Sequence, residues 1–407
     1  MMRCLECDIE LPQVDNPHLL ACSGLTLQEY AIRHHLPLDL LIDREELNRE
    51  DRVADYPRPG GHPSERARVL LRALAWAGLL REEGHFTVVP GEVRRLDLLL
   101  WDLHLLRELG FRFRQEYSYS DSTHRVVARN RLKVPSAHLR QSPDLHLCAV
   151  PPPDFRATLA AFIAHVGELQ AGYLFLQFPR SACGQAAAAE LRPRGVVLTE
   201  LEAADHPEGI LLRTLTRTDT ERLLDWLADE LVQIPGALER FCQATPEVTV
   251  AKELIFDSAH FITDHPAKCS NLHGGRYVLH VKVRGRIDPV TGCVVDYGYL
   301  KRVVNRKVID RFDHHNLNFA APELAWRSST EMLCIYIWEQ LIDYLPGLVE
   351  LQLYETTQSW CTYRGPTVET FQRQGSDPLM THFAGDVGCS PLRDLLRPPA
   401  LEVAVRG

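Results

Sequence analysis

The chain has 407 residues, of which 45% are hydrophobic and 24% charged, with a net charge of −9. This length leaves room for about two to four domains, and the composition is that of a globular protein rather than a disordered or fibrous one. The acidic balance argues against a general polyanion binder, although a local basic face is compatible with it. No apolar run approaches the roughly 20 residues that span a bilayer. The start MMRCLECDIE also lacks the basic and apolar regions of a secretory signal, so a cytoplasmic protein with no membrane partner is expected.

Eleven cysteines are scattered rather than paired by spacing. In a reducing compartment they are expected to be ligands, a nucleophile and core fillers rather than a disulfide framework. Cys148, Cys242 and Cys334 sit in apolar context and read as core.

Residues 1–45 open with Cys4 and Cys7, followed by His18 and Cys22. Two close couples of thiolate and imidazole suit a tetrahedral Zn²⁺, and a helix would put His18 and Cys22, four apart, on one face. So small a segment buries little core, so the metal would supply its folding energy. The following GLTLQEYAIRHHLP resembles the stretch after the finger in Ros/MucR-type regulators, which usually carry His where Cys22 stands. A cysteine group without metal is the plainer alternative.

Residues 46–64 end in Tyr56-Pro-Arg-Pro-Gly-Gly-His-Pro63 and read as a linker. Residues 65–145 are expected to form a basic α/β module, with helices at about Glu65–Arg81 and Glu92–Leu109, the second stopped by Gly110. Leu74–Val88 has a faint likeness to the helix-acid-glycine-strand signature of LAGLIDADG homing endonucleases, with Glu83 as the metal-binding acid. A plain helix-turn-strand is the other reading. The alternation in Phe111–Tyr119 predicts a strand. Eight Lys/Arg stand against three Asp/Glu between Arg107 and Arg140. Arginines alternating with aromatics suit nucleic-acid contact, or are the solvated face of a half-buried strand. Residues 146–245 alternate apolar runs with helical stretches, which predicts an α/β domain whose function is not legible, with an adaptor or oligomerisation role as the default.

Residues 246–368 carry the densest chemistry. Phe256 to His260, Cys269 to Gly274, Asp288 to Lys301, Phe312 to Asn318, Thr330-Glu331, Tyr354 to Thr356 and Cys361 to Gly365 follow one another in a fixed order. This pattern, from about Val248 to Gly365, resembles the 6-pyruvoyl-tetrahydropterin synthase family, and within it the bacterial 6-carboxy-tetrahydropterin synthases of the queuosine pathway. The resemblance implies an α+β tunnelling fold, with an antiparallel sheet and two helices per subunit. It also implies pockets between subunits of a homo-oligomer, commonly a hexamer built from trimers. Residues 369–407 read as a tail.

By the same resemblance Cys269, Asp313 and His314 are the catalytic set, and Glu355, with Thr330 and Glu331, binds the pterin. The helix dipole offers a second reason for Glu331 to stand where it does. His260 and His273 are the expected Zn²⁺ ligands, but the family's third histidine is replaced by Gly275. His265 is a conceivable substitute, whereas His280 falls on the opposite strand face. The expected function is a lyase converting 7,8-dihydroneopterin triphosphate to 6-carboxy-tetrahydropterin or a related product, linked to deazaguanine modification of nucleic acid. A catalytically silent pterin or purine binder fused to a nucleic-acid-binding N-terminus is the alternative that Gly275 raises. A nuclease using Glu83 is the third.

Overall fold

The structure is a computed structural model that describes residues 2–11, 14–25, 27–36, 41, 52–56, 58–59, 61–91, 96–120, 125–140, 150–202, 208–242, 245–263, 265–289, 291–325 and 327–374. The apolar run at 145–149, Cys148, the side chain of Cys242 and the tail beyond 374 lie outside the described residues. The chain mixes α and β structure, and contacts group it into two units, residues 1–67 with 80–144 and residues 68–79 with 145–407. Among the described residues no helix is long and apolar enough to cross a membrane.

In the first unit a two-residue pair, β1 (Met2–Arg3) with β2 (Glu10–Leu11), leads into the helix Asn16–Cys22. Asp15 caps that helix by accepting from the His18 backbone N–H at 2.9 Å. Leu19, Leu27, Tyr30 and Ala31 form a small core with Cys4 and Val14. Further along, β3 (Arg81–Glu83), β4 (Phe86–Pro90), β5 (Arg112–Ser120) and β6 (Arg125–Pro135) make a sheet ordered β3-β4-β6-β5. Within the stretch expected to be a linker, Tyr56 is buried and its ring lies 5.1 Å from that of Phe86.

The helix expected to reach Arg81 spans Glu65–Trp76 and stops before Gly78. Gly78 has φ +67, the left-handed conformation that ends helices. The second helix is Leu96–Leu106, extended by a tight turn to Leu109, and Gly110 ends it at φ +84.

The second unit holds a sheet ordered β7-β8-β10-β9, from β7 (Glu168–Gln170), β8 (Tyr173–Phe178), β9 (Leu198–Glu202) and β10 (Ile210–Thr214). Its helices are Phe155–Val166, Ser181–Leu191 and Arg217–Leu231. Residues 65–140 and 155–231 therefore repeat one order (helix, hairpin, helix, hairpin, helix) with one strand order. In both first hairpins a two-residue turn joins paired positions, Glu83 with Phe86 and Gln170 with Tyr173.

The rest of this unit is built on a long hairpin, β11 (Glu247–His260) and β12 (His273–Arg286), in register from Glu247 opposite Arg286 to His260 opposite His273. With β13 (His315–Asn316), β14 (Leu348–Tyr354) and β15 (Trp360–Tyr363) the sheet runs β13-β11-β12-β14-β15. All its pairings are antiparallel except β11 with β13. Alternate residues Leu254, Phe256, Tyr277, Leu279, Val281 and Val283 are buried on one face. Packed in the same core are the helices Tyr297–Val304, capped by Asp296, and Thr330–Leu341, capped by Ser329. The second helix buries Leu333, Ile337 and Leu341 completely, each such burial stabilising by about 1.5–3 kcal/mol. Tyr173, Phe175 and Leu211 of the preceding sheet join this core. Arg213, fully buried, bonds Asp343 at 3.1 Å across the same junction.

Candidate functional site

The hairpin register puts two imidazoles at one end of the sheet. His260 and His273 are cross-strand partners with ring centroids 4.4 Å apart. His260 Nδ1 meets the Ser328 carbonyl oxygen at 2.6 Å, and His273 Nδ1 meets that of Asn271 at 2.7 Å. A carbonyl oxygen only accepts, so each Nδ1 carries its proton and each Nε2 is the ring nitrogen turned toward the site. Both Nε2 atoms face Glu355 Oε1, at 3.2 Å from His260 and 3.8 Å from His273. Thr330 donates to the other oxygen, Oε2, at 2.7 Å. Glu355 is reached because β14 places Tyr354 opposite Val278, which sets the following residue beside the mouth of the hairpin.

These three side chains offer donor atoms that all lie within 4.8 Å of one another. Ligands 2.0–2.2 Å from one tetrahedral ion stand about 3.3–3.6 Å apart, so the donor set and its spacing fit a divalent metal. His265 is turned into its own loop, its Nδ1 accepting from the Ala267 N–H at 3.1 Å. His280 pairs with Glu253 at 2.9 Å. Neither takes the place of the missing histidine. The carboxylate of Glu355 faces both imidazoles instead, a placement not legible in the sequence because the resemblance assigns Glu355 to the pterin.

The remaining expected residues surround this point unevenly. Cys269 sits in a short turn, Lys268–Ser270, and its carbonyl accepts from the Ile262 N–H at 2.8 Å. Asp313 Oδ1 accepts from the Asp257 N–H at 2.9 Å, and the His314 N–H donates to the Asp257 carbonyl at 2.7 Å. His314 takes a left-handed backbone at φ +58, and its side chain is 78% exposed with Nε2 3.8 Å from Asp313 Oδ2. An open groove beside it is lined by Asp257, Ser258, Gly275, Arg276 and His315. Among the described residues no hydrogen bond joins Cys269 to Asp313 or His314 within one chain. Glu331 is exposed in the first turn of its helix, on the side the helix dipole favours.

Sequence reasoning missed Tyr277. Its ring stacks on Phe256 at 5.1 Å and lies 6.1 Å from His260. Burial pushes its hydroxyl far up, helped by the Glu355 charge. That hydroxyl has no hydrogen-bond partner among the described residues.

At the other end of the chain Cys4, Cys7, His18 and Cys22 also converge within 4.8 Å. Cys7 Sγ is 3.2 Å from His18 Nε2, and the Cys4 and Cys22 sulfurs are 4.0 Å apart. Burial raises the Cys4 thiol, but the backbone N–H groups of Glu6 and Cys7 and the His18 side chain outweigh it and bring it down to about 7. Thiolates about 3.8 Å apart are what a tetrahedral zinc needs. Elsewhere in this unit the expected basic strand is partly neutralised: Glu116 pairs with both Arg131 and Lys133. Glu83 is held by Arg131 at 2.5 Å, and the position matching it in the second copy is Gln170.

Residues 249–366 match the family described as 6-pyruvoyl tetrahydropterin synthase. The 6-pyruvoyl tetrahydrobiopterin synthase of Pongo abelii is 35% identical over 141 residues, covering 31% of this chain and 94% of that protein. The chain belongs to the 6-pyruvoyl tetrahydropterin synthase family. The 6-carboxy-5,6,7,8-tetrahydropterin synthase of Haemophilus influenzae is 28% identical, with 28% of this chain and 97% of that protein covered. A solved structure of variants of the homing endonuclease I-DmoI covers 41% of this chain and 98% of its own at 12% identity, with a TM-score of 0.29 that is too low to speak for the fold.

Proposed function

We propose that residues 246–368 act as a pterin synthase-like lyase on 7,8-dihydroneopterin triphosphate, giving 6-carboxy-tetrahydropterin or a related product. One observation carries this reading: two imidazoles with their Nε2 atoms turned to one point meet a Thr330-oriented carboxylate there. Mere packing has no need of such an arrangement, whereas pterin chemistry uses each part of it.

In this reading Glu355, oriented by Thr330, accepts from the N–H edge of the pterin ring, with Glu331 as a further pterin-binding residue. Cys269 takes a proton from the side chain as general base, and the Asp313/His314 pair relays it. The exposure of His314 and its separation from Cys269 within one chain suit a pocket closed between copies, hence a homo-oligomer. His260 and His273 hold Zn²⁺, which when bound polarises a substrate carbonyl or hydroxyl. Cys4, Cys7, His18 and Cys22 hold a second, structural Zn²⁺ and make residues 1–45 a finger. Residues 46–64 link it to a basic module at 65–145, and residues 146–245 are the following α/β domain. A product of this kind feeds deazaguanine synthesis in the cytoplasm, and the N-terminal half would bring the enzyme to nucleic acid.

Gly275 favours a second reading, a silent pterin-binding module. Incubation with 7,8-dihydroneopterin triphosphate separates the two. Loss of substrate with release of triphosphate supports the lyase; tight binding with no turnover supports the silent binder.

A further inference from the structure

Gly275 removes one imidazole from the face of β12 that also carries His273, since residues two apart on a strand share a face. A Cβ built at Gly275 would meet nothing nearer than the Glu355 carbonyl oxygen at 4.0 Å. The space a third histidine would fill is therefore open and bordered by Glu355. The Glu355 carboxylate faces the two imidazoles, with Oε1 at 3.2 and 3.8 Å from the two Nε2 atoms and Oε2 tied to Thr330.

We propose that Glu355 is the third protein ligand of the metal in this chain, so that the site is His260, His273 and a carboxylate rather than three histidines. Three neutral imidazoles leave a divalent ion with its full charge, whereas this set cancels one unit of it. Two histidines with one glutamate is a set that holds catalytic zinc with a position left open. The Nδ1 hydrogen bonds to Ser328 and Asn271, and the Thr330 hydroxyl on Oε2, supply the outer contacts that fix ligands in place.

One consequence extends the pterin reading above. Where metal and ring have separate holders, either can be lost alone. Here Oε1 of one carboxylate serves the metal, so metal and pterin binding are coupled through Glu355. Replacing Gly275 by histidine should uncouple them.

The test is metal content of the full chain by elemental analysis after dialysis against a weak chelator, with zinc as the metal. The variants are Glu355→Gln, Gly275→His and the double variant. Wild type is expected to hold the pterin-site zinc in addition to the N-terminal one. Glu355→Gln should lose the pterin-site zinc, and Glu355→Gln/Gly275→His should regain it, which also shows that the loss was not misfolding. Retention of that zinc by Glu355→Gln overturns the proposal. So does a wild type that holds only the N-terminal zinc, or a double variant that stays empty. Turnover does not enter this readout. A protein that holds zinc through Glu355 and leaves the substrate unchanged overturns the lyase reading and keeps this one.

Discussion

Gly274 and Gly275 are neighbours in β12 with opposite surroundings. A Cβ on Gly274 would stand 2.4 Å from the Ser258 carbonyl oxygen and 2.7 Å from Ala259 Cα, whereas one on Gly275 meets only the Glu355 carbonyl at 4.0 Å. The first contact is with backbone of β11, which cannot yield without opening the ladder that aligns His260 with His273. Gly274→Ala is expected to cost about 1–3 kcal/mol, and Gly275→Ala to stay within about 0.5 kcal/mol. Urea unfolding midpoints measure both. Equal effects would show that this crowding is absent.

The buried hydroxyl of Tyr277 yields a second prediction. A buried polar group without a partner costs about 1–3 kcal/mol, and removing it with the ring kept in place recovers part of that. Tyr277→Phe should leave the unfolding free energy unchanged or raise it by up to about 1 kcal/mol. A clear loss of stability would mean that the hydroxyl is engaged in the free protein.

Acid should expose the role of Glu350. Lys282 bonds its carboxylate at 2.5 Å and Arg364 contacts it as well, holding it below the usual carboxylate range against the opposing effect of burial. A carboxyl depressed in the folded state stabilises at pH values above its unfolded value, near 4.3, and loses that contribution as pH falls through the folded one. Glu350→Gln should therefore be about 1 kcal/mol less stable at pH 7, with the gap closing below about pH 4. A gap that stays constant from pH 7 to pH 3 would contradict the pairing.

Arg213 and Asp343 tie the β7–β10 sheet to the hairpin domain. The guanidinium is fully buried, whereas Asp343 is partly exposed and also accepts from Gln372. Asp343→Ala strands a buried charge and should cost about 2–3 kcal/mol, at the lower end for breaking such a pair because water reaches the carboxylate. The same variant tests whether residues 150–242 and 247–374 unfold as one body. Two separate transitions in wild type would argue against their shared core.

The site was legible in the sequence where chemistry dictates residue type, and illegible where geometry decides among donors. The order of His260, Cys269, His273, Asp313, His314 and Glu355 pointed to the family whose description residues 249–366 match, because that family keeps these residue types at such spacings. That Glu355 faces both imidazoles could not be read, since its position follows from the pairing of β12 with β14. Tyr277 looked like any strand aromatic. The strands and helices of 150–231 followed from apolar alternation, but the two-fold repetition with 65–140 lies in strand order, which no short-range pattern records. Helix ends were misplaced where one glycine decides, as at Gly78.

The most direct measurement of the central claim is turnover in heavy water, followed by mass spectrometry of the pterin. Wild-type protein is expected to convert 7,8-dihydroneopterin triphosphate to a product that carries solvent deuterium. Cys269→Ala should bind the substrate with similar affinity but react about 10²–10⁴-fold more slowly. Tight binding by wild type with no product and no deuterium in the recovered pterin would contradict the lyase and leave a binding protein.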